Sequence, residues 1–320
     1  LGVSAQAYMG YSLGESAGLF ASRAWRDRDT MFRRTLESGL FRSQLTSDGS
    51  VMREAWGQDA GWVVALVMRS KNEIQSALSG TATLLIVNAP GECVIGGRKD
   101  DVRAVVGRLG GAAIFLEGVP FVHLPVIAPV REDYRALHVL PTTPPAGVRF
   151  YSAAWARSYE VTTENCAASI VANAMHGFDF TALIEQAYAD GVRVFVEPGP
   201  QGSCTRMIGR ILGNRPHLAV SACQRGQDGY VSLLNAAAKL HDSGRPIDLS
   251  ALYAKSPRVD RTPKRKSVRV VVGGAPLEVP PLPSPRPVVA IVPQLMPAPD
   301  GQVVVTVAPI PMTTSLTEFL

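Results

Sequence analysis

A serine stands between two glycines at Gly10-Tyr11-Ser12-Leu13-Gly14. No other feature narrows the fold of this chain so far. The run before it, Val3 to Ser12, reads as a short buried strand ending at the serine. After it, apolar residues recur at helical spacing: Leu13, Ala17, Leu19, Phe20 and Ala24. Ser12 is therefore expected where a strand turns into a helix, which is the setting of a nucleophile elbow. Such an elbow exposes the serine Oγ on a strained turn, and its glycines let strand and helix pack closely. It also turns the amide of the next residue, here Leu13, toward a developing oxyanion. Glycine and serine are common, so the pentapeptide alone also reads as a chance match. The strand–turn–helix context favours the elbow.

From Gly61 the pattern changes. "WVVALVM" reads as a strand, and "SKNEIQSAL" as a helix with Ser70 as its N-cap. "TLLIVNAP" and "GECVIGG" read as two strands around a tight turn at Asn88-Ala89-Pro90-Gly91. "KDDVRAVVGRLG" is a helix closed by Gly110, and "AAIFLEGV" a last strand. The order β-α-β-β-α-β predicts a small ferredoxin-like unit over 61–119. Larger α/β material then resumes. "REDYRALHVL", "CAASIVANAMHG", "FDFTALIEQAYADG", "CTRMIGRIL" and "YVSLLNAAAKLHDSG" read as helices, "GVRFYSAA" and "VRVFVEPGP" as strands. The expected organisation is α/β: a large unit over 1–60 and 120–254, interrupted by the small one. Beyond Ala254 the chain is Pro-rich, and 255–320 reads as a linker toward a following domain. Within it Asp300-Gly301 before "QVVVTV" could seed a hairpin, and "TTSLTEFL" reads as a helix start.

Charge excludes some functions. The net charge of +5 is mild, and most of the chain mixes its signs, so neither nucleic acid nor membrane is an expected partner. Lys255 to Arg269 is the basic exception; its prolines make it a solvated linker first and a phosphate-binding patch second. The most apolar long window, Ala112 to Val130, carries Glu117, His123 and three prolines and does not span a bilayer. Cys93, Cys166, Cys204 and Cys223 contain no C-x-x-C pair, so no metal site is expected, and reduced thiols of a cytoplasmic protein are the simplest reading.

A serine needs a base. His217 and His241 lie near helix ends in polar surroundings and read as exposed. His138 sits inside an amphipathic helix and reads as structural, while His176 ends a helix, where a cation suits the dipole. His123 differs, lying in the proline-bracketed apolar segment "GVPFVHLPVIAP". It reads either as the base or as a satisfied core residue. The positional candidates for a triad acid are Asp48, Asp59, Asp100 and Asp101, and none ends a strand of the large unit, which argues against an ordinary esterase.

"GYSLGE", "NAPGECVIGG", "VPFVH", "VFVEPGPQGSCTRMI" and "LHDSGRPIDLSALY" occur in an order and spacing that resemble the malonyl-CoA:ACP transacylase-like acyltransferase domains of polyketide and polyunsaturated fatty acid synthases. The likeness spans about Val3 to Tyr253. It implies an α/β-hydrolase-like large subdomain with an inserted ferredoxin-like small one. It also implies a Ser12–His123 dyad, with a backbone carbonyl at Asn173 orienting the histidine in place of a carboxylate, and the Leu13 amide in the oxyanion hole. The pocket would involve Tyr11, Val122, Leu124 and Glu37. No cofactor would be permanently bound: acyl-coenzyme A is the implied substrate, with the phosphopantetheine of an acyl carrier protein as acceptor and neighbouring synthase domains as partners.

Several positions depart from the family pattern. Tyr11 replaces the usual histidine before the nucleophile, and Leu124 the serine after the active-site histidine. Glu37 falls where the family places its carboxylate-binding arginine; Arg33, Arg34 or Arg42 substitutes if the register slips. Without such a cation a neutral acyl group is favoured over malonyl. The family's glycine-glutamine-glycine segment would precede residue 1, so the expectation is an N-terminally truncated domain, incomplete as an enzyme. Three functions follow as alternatives: acyl transfer, a thioesterase or hydrolase using the same dyad, and a degenerate scaffold domain.

Overall fold

The computed structural model describes residues 2–110 and 113–250. The expectations for the basic segment, the Asp300-Gly301 hairpin, the terminal helix and the 255–320 linker lie outside these residues.

Strand β1 (Ala7–Met9) leads through a turn into helix α1 (Gly14–Ala21). The strand stops at Met9, short of the expected Ser12, because Gly10 to Leu13 already form the turn. Helix α2 (Arg28–Ser38), a π-helical turn at Leu40–Gln44 and helix α3 (Ser50–Trp56) follow. Asp27 caps α2 by accepting from the Thr30 amide, and Gly39 ends it in the left-handed region. None of the residues of α2 is buried, so it carries no apolar period that sequence reading could detect.

The small unit is built from β2 (Trp62–Val67), α4 (Lys71–Ala77), β3 (Thr83–Ala89), β4 (Glu92–Arg98), α5 (Lys99–Arg108) and β5 (Ala113–Leu116). Its strands lie in the order β5-β2-β4-β3, all neighbours antiparallel, which is the split βαβ of a ferredoxin-like fold. Ser70 caps α4 in a capping box with Glu73. The β3–β4 turn is tighter than expected, reduced to Pro90-Gly91, with Gly91 at φ +72°.

Both faces of β2, β3 and β4 are covered, which is why these strands read as near-continuous apolar runs, while β5 at the sheet edge leaves Ile114, Phe115 and Leu116 exposed. Ala65, Val67, Val87, Cys93 and Ile95 pack with Ile74 of α4 and Val102, Val105 and Val106 of α5. Trp62, Val64, Ile86 and Val94 belong to the main core instead. That core includes Phe121, Leu124, Ile127, Phe150, Tyr151, Leu183, Met207 and Leu212 of the large unit.

The chain continues through a 3-10 turn at Pro125–Val130, α6 (Arg131–His138), β6 (Arg149–Ser152), β7 (Arg157–Tyr159) and α7 (Thr163–His176). Then come β8 (Phe178–Asp179), α8 (Phe180–Ala189), β9 (Val194–Glu197), α9 (Ser203–Leu212), β10 (Leu218–Ser221) and α10 (Gly229–Asp242). β1 pairs in parallel with β6, and β9 with β10. The strands β7, β8 and β10 were not expected; each is no longer than four residues. β8 pairs in parallel with β3 and becomes the fifth strand of the small unit's sheet. Gly177 makes this possible. It sits at φ +65°, and a Cβ there would lie 1.8 Å from the Leu85 carbonyl oxygen.

A second tie between the units is ionic. Glu92, at the start of β4, has a side chain only 2% exposed. It takes two hydrogen bonds from Arg206, at 2.7 and 2.8 Å, and further ones from Arg210 and the Asn88 amide. The Arg206 guanidinium holds the Glu92 carboxyl below its ordinary range. Its stabilising effect is therefore complete above the usual carboxylate pKa near 4.5 and is lost as pH falls through the lower folded value. Replacing both Arg206 and Arg210 by Met is expected to strand this carboxylate and cost about 3–5 kcal/mol in urea unfolding. Glu92→Gln is expected to cost less, because the freed arginines can reach water.

Candidate active site

Ser12 sits on the turn between β1 and α1 at φ +51°, a left-handed conformation that costs a serine about 1–3 kcal/mol. The two glycines around it are not equivalent. A Cβ at Gly10 would lie 1.8 Å from the Glu15 nitrogen, so only glycine lets the helix start pass so close to the strand end. A Cβ at Gly14 would meet nothing within 4 Å. Close packing thus rests on Gly10 alone.

His123 approaches from the segment after β5. Its Nε2 lies 3.0 Å from Ser12 Oγ. Its Nδ1 lies 2.9 Å from the Asn173 carbonyl oxygen. A carbonyl can only accept, so Nδ1 carries the proton and Nε2 presents a lone pair to the serine hydroxyl. The backbone N–H of His123 donates to the Ala174 carbonyl at 2.6 Å, and the ring meets the edge of Phe178 at 5.6 Å. Both carbonyls belong to the C-terminal turn of α7; that of Asn173 also accepts the C-cap Gly177 N–H at 3.0 Å and meets the ring with its second lone pair. Like Ser12, His123 has a positive φ, +71°. Burial lowers its pKa below the ordinary 6.5, partly opposed by the bond to Asn173.

Leu13 occupies the N-cap position of α1, and among the described residues its amide donates to no protein acceptor. That amide lies at the positive end of the α1 dipole, next to the serine.

The other anticipated pocket residues are placed differently. The Tyr11 hydroxyl donates to Asn88 Oδ1 at 2.7 Å, and its ring packs edge-on against Phe178 and Phe180. Tyr11 thus ties the elbow to the β3–β4 hairpin, and burial pushes its pKa upward. Val122 is half-buried beside His123. Leu124 is fully enclosed in the main core. Glu37 is exposed on α2, and no bond joins it to the Ser12–His123 pair. Arg33 and Arg42 are also exposed, while Arg34 donates to the carbonyls of Ala136 and Val139 at the end of α6. None of these arginines is bonded to the pair.

The remaining histidines stand apart. His138 is buried, with Nδ1 2.8 Å from the Tyr134 carbonyl, and burial lowers its pKa to about 4. His176 and His241 are exposed. His217 is half-buried just before β10, rather than exposed near a helix end, with Nδ1 2.7 Å from the Arg215 carbonyl. Sequence reading missed Asn88 and Glu15 as parts of this region, and the capping role of Glu197. Asn88 had a signal in the "NAPG" turn; Glu197, at the "EPGP" strand end, caps α9 through the Cys204 and Thr205 amides. Among the described residues no group of three His, Cys, Asp or Glu side chains could hold a metal, and no helix is long and apolar enough to cross a membrane.

No known family's profile matches the chain. The acyltransferase domain from the second module of the salinomycin polyketide synthase superposes with a TM-score of 0.64 at 22% identity, over 80% of this chain and 58% of that one. The fold is that of an acyltransferase domain. A solved complex of a type II polyketide synthase acyl carrier protein with its malonyl-transacylase also contains this fold, with a TM-score of 0.59 at 19% identity over 73% of each chain. By sequence, the domain is 24% identical over 263 residues to a polyunsaturated fatty acid synthase polypeptide of Thraustochytrium sp.. That match covers 75% of this chain but only 13% of the much longer synthase polypeptide.

Gly10→Ala is expected to destabilise this acyltransferase fold by about 3 kcal/mol, the upper end for an overpacked site. Gly14→Ala, on a helix with open space, is expected to be neutral or to stabilise by up to about 1 kcal/mol. Urea unfolding of the two variants checks the difference.

Proposed function

We propose that this domain is an acyltransferase that moves a short acyl group from coenzyme A, through a Ser12 ester, to the phosphopantetheine thiol of an acyl carrier protein in polyketide or fatty acid assembly. The observation that carries this reading is the 3.0 Å contact between Ser12 Oγ and a His123 Nε2 whose opposite nitrogen is fixed on the Asn173 carbonyl. A scaffold without catalysis has no use for such a pair, nor for two strained residues meeting at it.

The steps balance on one proton. His123 Nε2 takes the Ser12 hydroxyl proton as Oγ attacks the thioester carbonyl. The Leu13 amide faces the oxyanion. As the intermediate collapses, the C–S bond breaks and the coenzyme A sulfur leaves with the proton from Nε2. The carrier thiol then gives its proton to Nε2 and attacks the Ser12 ester, and Oγ departs with that proton. A carbonyl in place of a carboxylate leaves the imidazolium less stabilised, which suits a base that must return its proton in each half-reaction. The acyl group that fits best is neutral, such as acetyl. Among Arg33, Arg34 and Arg42 none is bonded to the Ser12–His123 pair to receive a carboxylate, and Arg34 is spent on the end of α6.

Mass spectrometry of the protein incubated with acetyl-CoA and malonyl-CoA tests this. Covalent mass is expected on the wild type, predominantly acetyl, and none on Ser12→Ala; labelling that survives the substitution would sink the proposal. Adding carrier protein separates transfer from hydrolysis: the acyl group should appear on the carrier and not as free acid.

The pH dependence follows from the lowered His123 pKa. The reactive form is neutral imidazole, present above that pKa. The acylation rate is expected to be flat through neutral pH and to fall only below pH 6.5. A midpoint above that value in single-turnover kinetics would contradict the assignment of His123 as base.

A further inference from the structure

We infer that Glu15, acting through Ser169, is a positioning residue for the Ser12–His123 pair; the inference rests on the acyl-transfer reading. Glu15 lies in the first turn of α1, three residues after Ser12, and is 4% exposed. Its carboxylate accepts a hydrogen bond from the Ser169 hydroxyl on α7 and another from the Ala153 N–H, just past β6, at 3.3 Å. Ser169 Oγ also lies 2.6 Å from Ser152 Oγ, which accepts the Trp155 N–H at 3.2 Å.

Ser169 stands about one helical turn before Asn173 on the same helix. The nucleophile's helix therefore grips the helix whose end holds the base. Among the described residues no other side-chain hydrogen bond joins α1 directly to α7.

The carboxyl is costly where it is. Burial raises its pKa to about 7, and the titratable groups that face it are Tyr159 from β7 and Cys166 from α7. It forms no ion pair among the described residues. An apolar side chain of similar size would avoid this desolvation. What Glu15 supplies is an acceptor that fixes the distance and rotation of α7 relative to the elbow, and positioning of reacting groups is worth large factors in rate.

The experiment uses the full chain with acetyl-CoA and malonyl-CoA as probes. It compares Glu15→Ala, Glu15→Gln, Ser169→Ala and the Glu15→Ala/Ser169→Ala double variant, with Ser12→Ala as control. Single-turnover acylation of Ser12 is followed against acyl-CoA concentration, and the His123 Nδ1–H resonance by NMR. Each alanine variant is expected to slow acylation about 10- to 100-fold at unchanged half-saturation, with the His123 resonance shifted or broadened. The double variant should be no slower than the slower single one, because the two residues act as one strap. Glu15→Gln, which keeps a carbonyl acceptor, should recover part of the rate. Folded variants with wild-type rates would overturn the inference, as would losses that multiply, or a change in half-saturation alone with the His123 resonance unmoved. Should Glu15→Ala fail to fold, Ser169→Ala and Glu15→Gln decide by the same readouts. If the Ser12→Ala control is itself acylated, the acyl-transfer reading falls, and that result is separate from any effect at Glu15.

Discussion

The last turn of α7 governs the site. Two of its carbonyls are spent on one residue: Ala174 holds the backbone of His123, and Asn173 holds its ring. A carbonyl oxygen has two lone pairs, and those of the final helix turn are the least enclosed by their own helix. Asn173 also accepts the Gly177 amide at 3.0 Å, so the carbonyl that sets the imidazole tautomer is itself fixed. A hydrolase with an acidic residue would place a full charge at this point. Here a helix end supplies a dipole, and the histidine stays closer to neutrality.

Holding His123 this way has a conformational cost. Both Ser12 and His123 adopt left-handed backbone geometry, which non-glycine residues rarely occupy. Such conformations persist only where surroundings over-determine them. Around Ser12 the constraint is the passage of α1 over Gly10; around His123 it is the pair of hydrogen bonds donated to α7 and the burial of Phe121 and Leu124 on either side. The positive backbone angles thus coincide at the two residues that meet, and the main core encloses the neighbours of His123.

Much of this was legible in the sequence because it is local. The elbow, the capping Ser70 and the order of elements in the ferredoxin-like unit are all written in neighbouring residues. Helix α7 was visible from its apolar period, although its start at Thr163 lay earlier than the pattern suggested. What escaped is non-local or lacks a period. α2 buries nothing, and β8 is two residues whose partner lies far back in the chain. The Glu92–Arg206–Arg210 cluster joins residues more than a hundred positions apart. Leu124 and Glu37 were placed by likeness to other chains, and likeness in position does not say which way a side chain points once its chemistry has changed. In this chain one turned into the core and the other to solvent.

The shared fifth strand gives the small unit a mechanical role. β8 begins one residue after Gly177, which itself follows directly on α7, and it is hydrogen-bonded into the ferredoxin-like sheet. Phe178, its first residue, touches both Tyr11 and His123. The small unit is therefore not a lid hinged on its two connecting segments. Its sheet is also joined, through β8, to the segment that follows the helix end holding the base.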